Sequence, residues 1–337
     1  MAGTRGTMAD VAAAAGVSVP TVSKVLNGRV DVAEATRAKV LRAVQDTGYR
    51  AKRAPGNDLA GTVDLLIEGV DSPWALEIIR GTEAAAAHHG SAVVVTSSVN
   101  AGFDLSSWLD AVAARHSDGI IAALPSLGEA QLRHLQALDV PVVVIDPTDA
   151  LPERVATIGA TNWSGAFEAT DRLLDLGHTR IGIIAGPSHV RPAVQRLEGY
   201  AAALRRRGIP FDPELVVEAE FRITTGHQAA AKLLDLGERR PTAVFCSSDQ
   251  QAAGMYEAAR ERDIRIPSEL SVIGFDDTVL SRYLSPALTT VHQPLAEMAA
   301  EAIRLVQQLA ADPRAHVARH FELTTHIVER RSAVALG

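Results

Sequence analysis

Residues 7–28 read TMADVAAAAGVSVPTVSKVLNG, and their spacing decides how the start of the chain folds. Apolar positions recur at helical intervals, Met8, Val11, Ala12 and Ala15, then Val22, Val25 and Leu26, and Val40, Leu41 and Val44 extend the pattern. Three short helices over residues 7–49 are predicted. Thr7 with Asp10 has the form of a capping box, and Ser18 can cap the second helix with Pro20 in its first turn. Gly16 permits the tight turn between these helices, and Gly48 is placed to close the third. On the second helix Ser18, Val19, Pro20, Thr21, Ser23 and Lys24 face away from the apolar side, as a helix entering a DNA major groove about 12 Å wide requires. An alanine-rich hairpin with no ligand has the same spacing, so spacing alone leaves both readings open.

Charge is divided unevenly around this segment. Residues 1–53 hold nine Lys/Arg against four Asp/Glu, a net +5, which leaves 24 against 36, a net −12, for the rest of a chain whose total is −7. Phosphates feel local charge, because salt at 0.1 M screens interactions beyond roughly 10 Å. The basic head is therefore a candidate nucleic-acid footprint within an acidic protein.

Residues 51–61, AKRAPGNDLAG, lack periodicity and read as a linker. Beyond them short β-branched runs recur: TVDLLIEGV, SAVVVTSS, DGIIAAL, PVVVID, RIGIIAG, TAVFCSS and SVIGFDD. Helical stretches mostly separate them, and the strands are nearly continuous in apolar residues, which implies parallel sheets covered on both faces. With 337 residues, and about four strands on each side of residue 160, two similar doubly wound α/β lobes are expected in place of one large sheet. Ligands of such sheets sit beyond the carboxyl ends of the strands, so the cleft between lobes is the expected site.

The run ADVAAAAGVSVPTVSKVLNG followed by VAEATRAKVLRAVQDTGYR resembles the DNA-binding head of the lactose/galactose repressor (LacI/GalR) family, with Ala-Gly-Val-Ser, Thr-Val-Ser, Leu-Asn and Gly-Tyr at the family's spacings. The resemblance implies that Val19, Pro20 and Lys24 hold base-reading positions. Ser18, Thr21, Ser23, Asn27 and Tyr49 then hold positions that fix the DNA backbone. Val19 and Pro20 have no side-chain donors and suit a thymine methyl, which leaves Lys24 as the chief polar reader. Relatives carry a hinge helix after the head with a Leu pair that wedges into the minor groove; here Ala54-Pro55-Gly56-Asn57-Asp58-Leu59 breaks a helix and offers Leu59 as the sole wedge.

The likeness continues over residues 62–331, through Asp71-Ser72-Pro73-Trp74, Asn162 with Gly165, LGHTRIGIIAGP, Arg196-Leu197-Glu198-Gly199-Tyr200, Ser248-Asp249 and Gly274-Phe275-Asp276-Asp277. It implies a two-lobed periplasmic-binding-protein-like sensor, with an N-lobe near 62–160 and 292–322 and a C-lobe near 161–291 and 323–331. Trp74, Phe221, Arg196 and Asp276 then line an effector site, with Asp71, Asp146, Asn162 and Ser248 as further candidates. Aromatic faces, a guanidinium fork and fixed acceptors are what a sugar needs. Taken singly, Trp74 or Phe221 reads as core, Arg196 as a paired surface residue and Asp276-Asp277 as a capping pair. Ser248 stands where Asn is usual in the family and Thr161 where Asp is frequent.

The expectation is a sequence-specific regulator, a homodimeric repressor on pseudo-palindromic operator DNA, tuned by a small sugar-like effector. A purine effector, a sugar-transport protein and a doubly wound enzyme are the alternatives. No run approaches the ~20 apolar residues of a membrane span and no secretory h-region is evident, which argues for a cytoplasmic, nucleoid-associated address and against transport. Cys246 is the sole cysteine, His88-His89 point about 100° apart on a helix, and GxGxxG, GxxxxGK[ST], HExxH and CxxC are missing. No cofactor, no metal and no catalysis are therefore expected. The tail HIVERRSAVALG has no heptads, which predicts a dimer without a tetramerising coil.

Overall fold

Thr7 starts the first helix by a reciprocal cap: its Oγ1 accepts from the Asp10 amide at 3.3 Å, and its own amide donates to Asp10 Oδ2 at 2.6 Å. The computed structural model describes residues 7–26, 32–47, 61–115, 117–123, 140–148, 151, 155–312 and 320–337. Met1–Asp58 and Leu59–Gly337 are separate compact units.

In the first unit α1 spans Met8–Ala15, α2 Val19–Leu26 and α3 Glu34–Thr47. Gly16 ends α1 at φ 64, ψ 36, a left-handed conformation that costs an L side chain strain, and its amide returns to the carbonyls of Ala12 and Ala13. Ser18 Oγ accepts from the Thr21 amide at 3.3 Å and starts α2. Val11, Ala12, Val22, Val25, Val40 and Ala43 form a small buried core between the three helices, with Met8, Ala15, Val17, Val32 and Val44 packed on it. The 3.6-residue period of the sequence is thus the inner face of each helix.

The second unit holds two six-stranded sheets. β1 (Thr62–Ile67), α4 (Pro73–His88), β2 (Ala92–Ser97), α5 (Leu105–Arg115), β3 (Gly119–Ala123), β4 (Val142–Ile145) and β5 (Ala156–Ala160) build the first lobe. α6 (Asn162–Asp175), β6 (Ile181–Ala185), α7 (Arg191–Arg206), β7 (Val216–Glu218), α8 (Ile223–Leu234), β8 (Ala243–Cys246), α9 (Asp249–Glu261), β9 (Ser271–Asp276), α10 (Val279–Tyr283) and β10 (Thr289–His292) build the second. The chain returns to the first lobe with α11 (Leu295–Ala311) and β11 (His320–Leu323), and ends in the second with β12 (His326–Val328). Strand orders are β11-β5-β4-β3-β1-β2 and β12-β10-β9-β8-β6-β7, parallel apart from the antiparallel β10–β12 pair.

Every residue of β3, β5, β6, β8 and β9 is buried, because helices cover both faces of each sheet. α11 brings Leu295, Met298, Ala302, Ile303 and Leu305 into the first lobe's core although they follow the second lobe in sequence. The crossings therefore fall after β5, after β10 and after β11. His292 belongs to the second lobe's sheet, not to the first lobe. The second lobe also takes in the tail beyond residue 331, where Ser332 Oγ donates to the Val272 carbonyl and the Leu336 amide to that of Leu176.

Five strands lack a counterpart among the sequence runs: β5, β7, β10, β11 and β12. β7 and β12 have three residues each, and TTVH, HFEL and HIV carry polar residues that mask a strand period. β2 departs the other way. Its apolar run suits a buried strand, yet it is the sheet edge and leaves Val95 exposed.

Candidate DNA-reading helix and effector cleft

On the second helix Ser18, Val19, Pro20 and Lys24 are exposed, while Thr21 and Ser23 are half-buried and Val22 and Val25 face the core. Ser18 Oγ and Thr21 Oγ1 lie 2.8 Å apart and bond each other, so these hydroxyls are pre-set at the helix start. Asn27, Tyr49 and Leu59, together with the Pro-Gly hinge and Gly48, lie outside the described residues.

In the second unit a cleft of about 380 Å³ opens between the lobes. Asp71, Trp74, Asp146, Arg196, Phe221 and Asp276 line it, together with Glu68, His189, Glu220, Arg222 and Gln250. Most stand at or just beyond strand carboxyl ends: Glu68 after β1, Asp146 after β4, Asp276 at the end of β9. Asp146 (φ 44) and Asp276 (φ 108) hold positive φ, a region costly for residues with a Cβ. The backbone is strained at the points where these carboxylates are presented.

Arg196 on α7 is the centre of the floor, and it is buried at 4% exposure. Its Nε donates to Asn162 Oδ1 at 2.8 Å, Nη1 to the Ser247 carbonyl at 2.5 Å and to Asp276 Oδ1 at a long 3.5 Å, and Nη2 to Gln293 Oε1 at 3.2 Å. The guanidinium carbon lies 3.7 Å from the Phe275 ring centroid, a cation–π contact beneath the plane of the fork. Burial pulls the Arg196 pKa down, and Asp276, Asp146 and Asp249 oppose that pull. Gln293 Nε2 in turn donates to Asp146 Oδ2 at 2.6 Å, so one glutamine beside the crossing ties Asp146 of the first lobe to Arg196 of the second.

The carboxylates carry the cost of this burial. Asp146 is pushed up to about 6 by burial, with Arg196 pulling the other way. Burial also holds Asp276 well above the usual carboxylate range, against Arg196 and with Asp249 and Asp146 adding repulsion. Asp249 is fully buried, raised to about 7 by burial, and accepts from the Thr278 amide, Thr278 Oγ1 and Thr290 Oγ1. It braces the β9 end from behind.

Two sequence candidates stand behind the cleft wall instead of in it. Asn162, the first residue of α6, accepts from Arg196 and donates to the Ala160 carbonyl, so it orients the guanidinium. Ser248 caps α9 by accepting from the Gln251 amide at 3.2 Å and is buried there. At this position a serine caps the helix as an asparagine would. Thr161 pairs with Thr325 at the lobe crossing.

Phe221 is held by neighbours the sequence did not single out. Gln250 Nε2 donates to its carbonyl at 2.8 Å, and a Cβ on Gly186 would come within 2.3 Å of its ring. Glu68, His189, Glu220, Arg222, Gln250 and Gln293 carry no local signal of their role, because only the packing of distant segments brings them to one cavity. Cys246 is buried and its thiol is pushed up by that burial. Among the described residues no group of three His, Cys, Asp or Glu side chains is placed to hold a metal ion, and no helix is long and apolar enough to cross a membrane.

Comparison with known proteins agrees with both units. Residues 7–52 match the family described as bacterial regulatory proteins, lacI family, and residues 170–333 match the periplasmic binding protein-like domain. The HTH-type transcriptional repressor CytR of Escherichia coli strain K12 is 35% identical over 309 residues, 90% of this chain and 89% of that protein. The ribose operon repressor of the same strain is 32% identical over 333 residues, 97% of this chain and 99% of that protein. Among solved structures, the transcriptional regulator CelR–cellobiose complex matches at a TM-score of 0.74 with 31% identity, covering 97% of this chain and all of the other. The lac repressor dimer bound to operator and the anti-inducer ONPF matches at 0.71 with 26% identity, over 98% of this chain and all of the other. A helix-turn-helix head with its outer face clear of the core, joined to a two-lobed sensor with a polar cleft, makes this chain a member of the lacI family of bacterial regulatory proteins, a DNA-binding repressor with an effector-binding domain.

Proposed function

We propose that a sugar bound between the lobes sets the operator affinity of this repressor, and that Asp71, Trp74, Asp146, Arg196, Phe221 and Asp276 contact it. The Arg196 network carries the reading. It joins Asp146 of the first lobe to Asn162, Ser247 and Asp276 of the second through Gln293, so a ligand on this floor biases how the lobes close. A cleft of this size exceeds what one small ring fills, and CelR, similar along nearly the whole chain, is solved with cellobiose. Asn162 and Ser248 act from behind, one on Arg196 and one on α9. The cleft residues are arranged to hold a ligand, and we assign them no catalysis.

At the other end of the chain Val19, Pro20 and Lys24 read bases, and Ser18, Thr21 and Ser23 fix the DNA backbone. Asn27, Tyr49 and Leu59 complete that set in the reading from sequence. Acting on chromosomal operators places the protein in the cytoplasm at the nucleoid. The lac repressor is solved as a dimer on operator, and the same state would cover exposed apolar side chains of this chain such as Val70, Val99, Ile223 and Tyr283. Selection from random duplexes should return a pseudo-palindrome with half-sites about one helical turn apart. Titrating cellobiose or ribose into that complex should then shift its affinity, with a coupling of about 1–3 kcal/mol, hypoxanthine should not, and Arg196→Ala should abolish the shift. DNA binding without sequence preference, or an undiminished shift in Arg196→Ala, refutes the reading.

A further inference from the structure

The polar groups facing the cleft are one-sided. Five carboxylates reach it, Glu68, Asp71, Asp146, Glu220 and Asp276, against two guanidiniums, Arg196 and Arg222. Neither cation is set to clamp an anion. Arg196 directs its donors to Asn162, the Ser247 carbonyl, Asp276 and Gln293, which commits four of the five N–H groups that a guanidinium has. Arg222 faces Asp71 at the mouth.

Among the described residues that line the cleft, the buried polar atom without a hydrogen-bond partner is an acceptor. Asp146 is 2% exposed; its Oδ2 is taken by Gln293, while Oδ1 is buried with no hydrogen-bond partner. A buried acceptor without a donor costs free energy that a ligand's O–H recovers on binding. The strained backbone at Asp146 and Asp276 fixes these oxygens in place before any ligand arrives.

We propose that the cleft selects its effector by charge: it takes a neutral, hydroxyl-rich sugar that donates a hydrogen bond to Asp146 Oδ1, and it rejects the carboxylate- or phosphate-bearing form of the same sugar. The proposal rests on the sugar-effector reading above and narrows it. A sugar hydroxyl both donates and accepts, so it satisfies an acceptor-rich wall. An ionised carboxylate or phosphate brings acceptors alone, and like charges repel strongly where water is displaced. The upward push on Asp146 and Asp276 shows a site that already resists the negative charge it holds.

Calorimetric titration of the full chain at pH 7.5 with three matched pairs tests this: cellobiose and cellobionate, ribose and ribose 5-phosphate, trehalose and trehalose 6-phosphate. For the pair whose neutral member binds, the anionic member should bind at least about 100-fold more weakly, equal to about 2.7 kcal/mol. Glu220→Gln should narrow that gap about threefold or more, and Asp146→Asn should weaken the neutral sugar about tenfold. Glu220 is exposed, so its variant reads the charge rule without disturbing the buried floor. An anionic member that binds as tightly as its neutral partner overturns the charge rule and leaves the sugar reading standing. Failure of all six compounds to bind overturns the sugar reading, and the charge rule with it.

Discussion

Asp146→Asn should reverse part of the pH dependence of folding. The carboxyl of Asp146 moves from an ordinary 3.8 to about 6 on burial, so the folded protein holds that proton more tightly than the unfolded chain. A group raised in this way stabilises fully below pH 3.8, and its contribution is lost as pH rises toward 6 and above. At about 1.4 kcal/mol per unit, the ionised buried carboxylate costs roughly 3 kcal/mol at neutral pH, of which roughly 2 kcal/mol develops between pH 4.5 and 7.5. Asn cannot ionise, and it can keep an oxygen toward Gln293 while its amide nitrogen takes the place of Oδ1, which has no protein partner to lose. Thermal or urea denaturation of both proteins across pH 4.5–7.5 isolates the effect, because titrations elsewhere in the chain cancel in the difference. The variant should gain on the parent as pH rises, by about 2 kcal/mol, or roughly 4–8 °C in Tm for a unit of this size. A flat difference, or one that grows toward acid, refutes the account of Asp146 as a strained, ionised acceptor.

Other substitutions test other links. Arg196→Ala leaves Asp276 and Gln293 facing an empty floor and should cost about 3–5 kcal/mol of stability by denaturant titration, because buried charges lose their counterpart. Gly186→Ala should displace the Phe221 ring and weaken effector binding several-fold in calorimetry while DNA binding by the effector-free protein is kept. Thr7→Ala removes the cap of the first helix and should cost the head about 1 kcal/mol, seen as earlier loss of helical circular dichroism. Lys24→Ala should lower operator affinity and relax preference at one base pair per half-site, worth about 1–3 kcal/mol, in a binding-site selection repeated with the variant.

The head was legible because its determinants are local. Caps, the turn glycine and the apolar period of 3.6 all act within some forty residues, so reading the chain in order gives helices, turn and inner face together. The alternation of buried strands and helices announced two doubly wound lobes for the same reason: a strand covered on both faces must be apolar throughout. Resemblance then pointed to six side chains that do line the cleft. What sequence could not settle is which polar atoms meet. Asp146, Arg196 and Gln293 are brought together across separations of up to 147 residues, by three crossings between lobes that no local pattern encodes. The same crossings turned Asn162 into a brace for Arg196 and Ser248 into a helix cap, and made Gln293 the link between lobes. The sequence by itself determined the helices of the head and seven strands of the lobes, while β5, β7, β10, β11 and β12 escaped it. The tertiary structure alone decided that, among the described residues lining the cleft, an acceptor, Asp146 Oδ1, is the buried atom without a partner, because hydrogen-bond satisfaction is a property of the assembled fold and not of any segment.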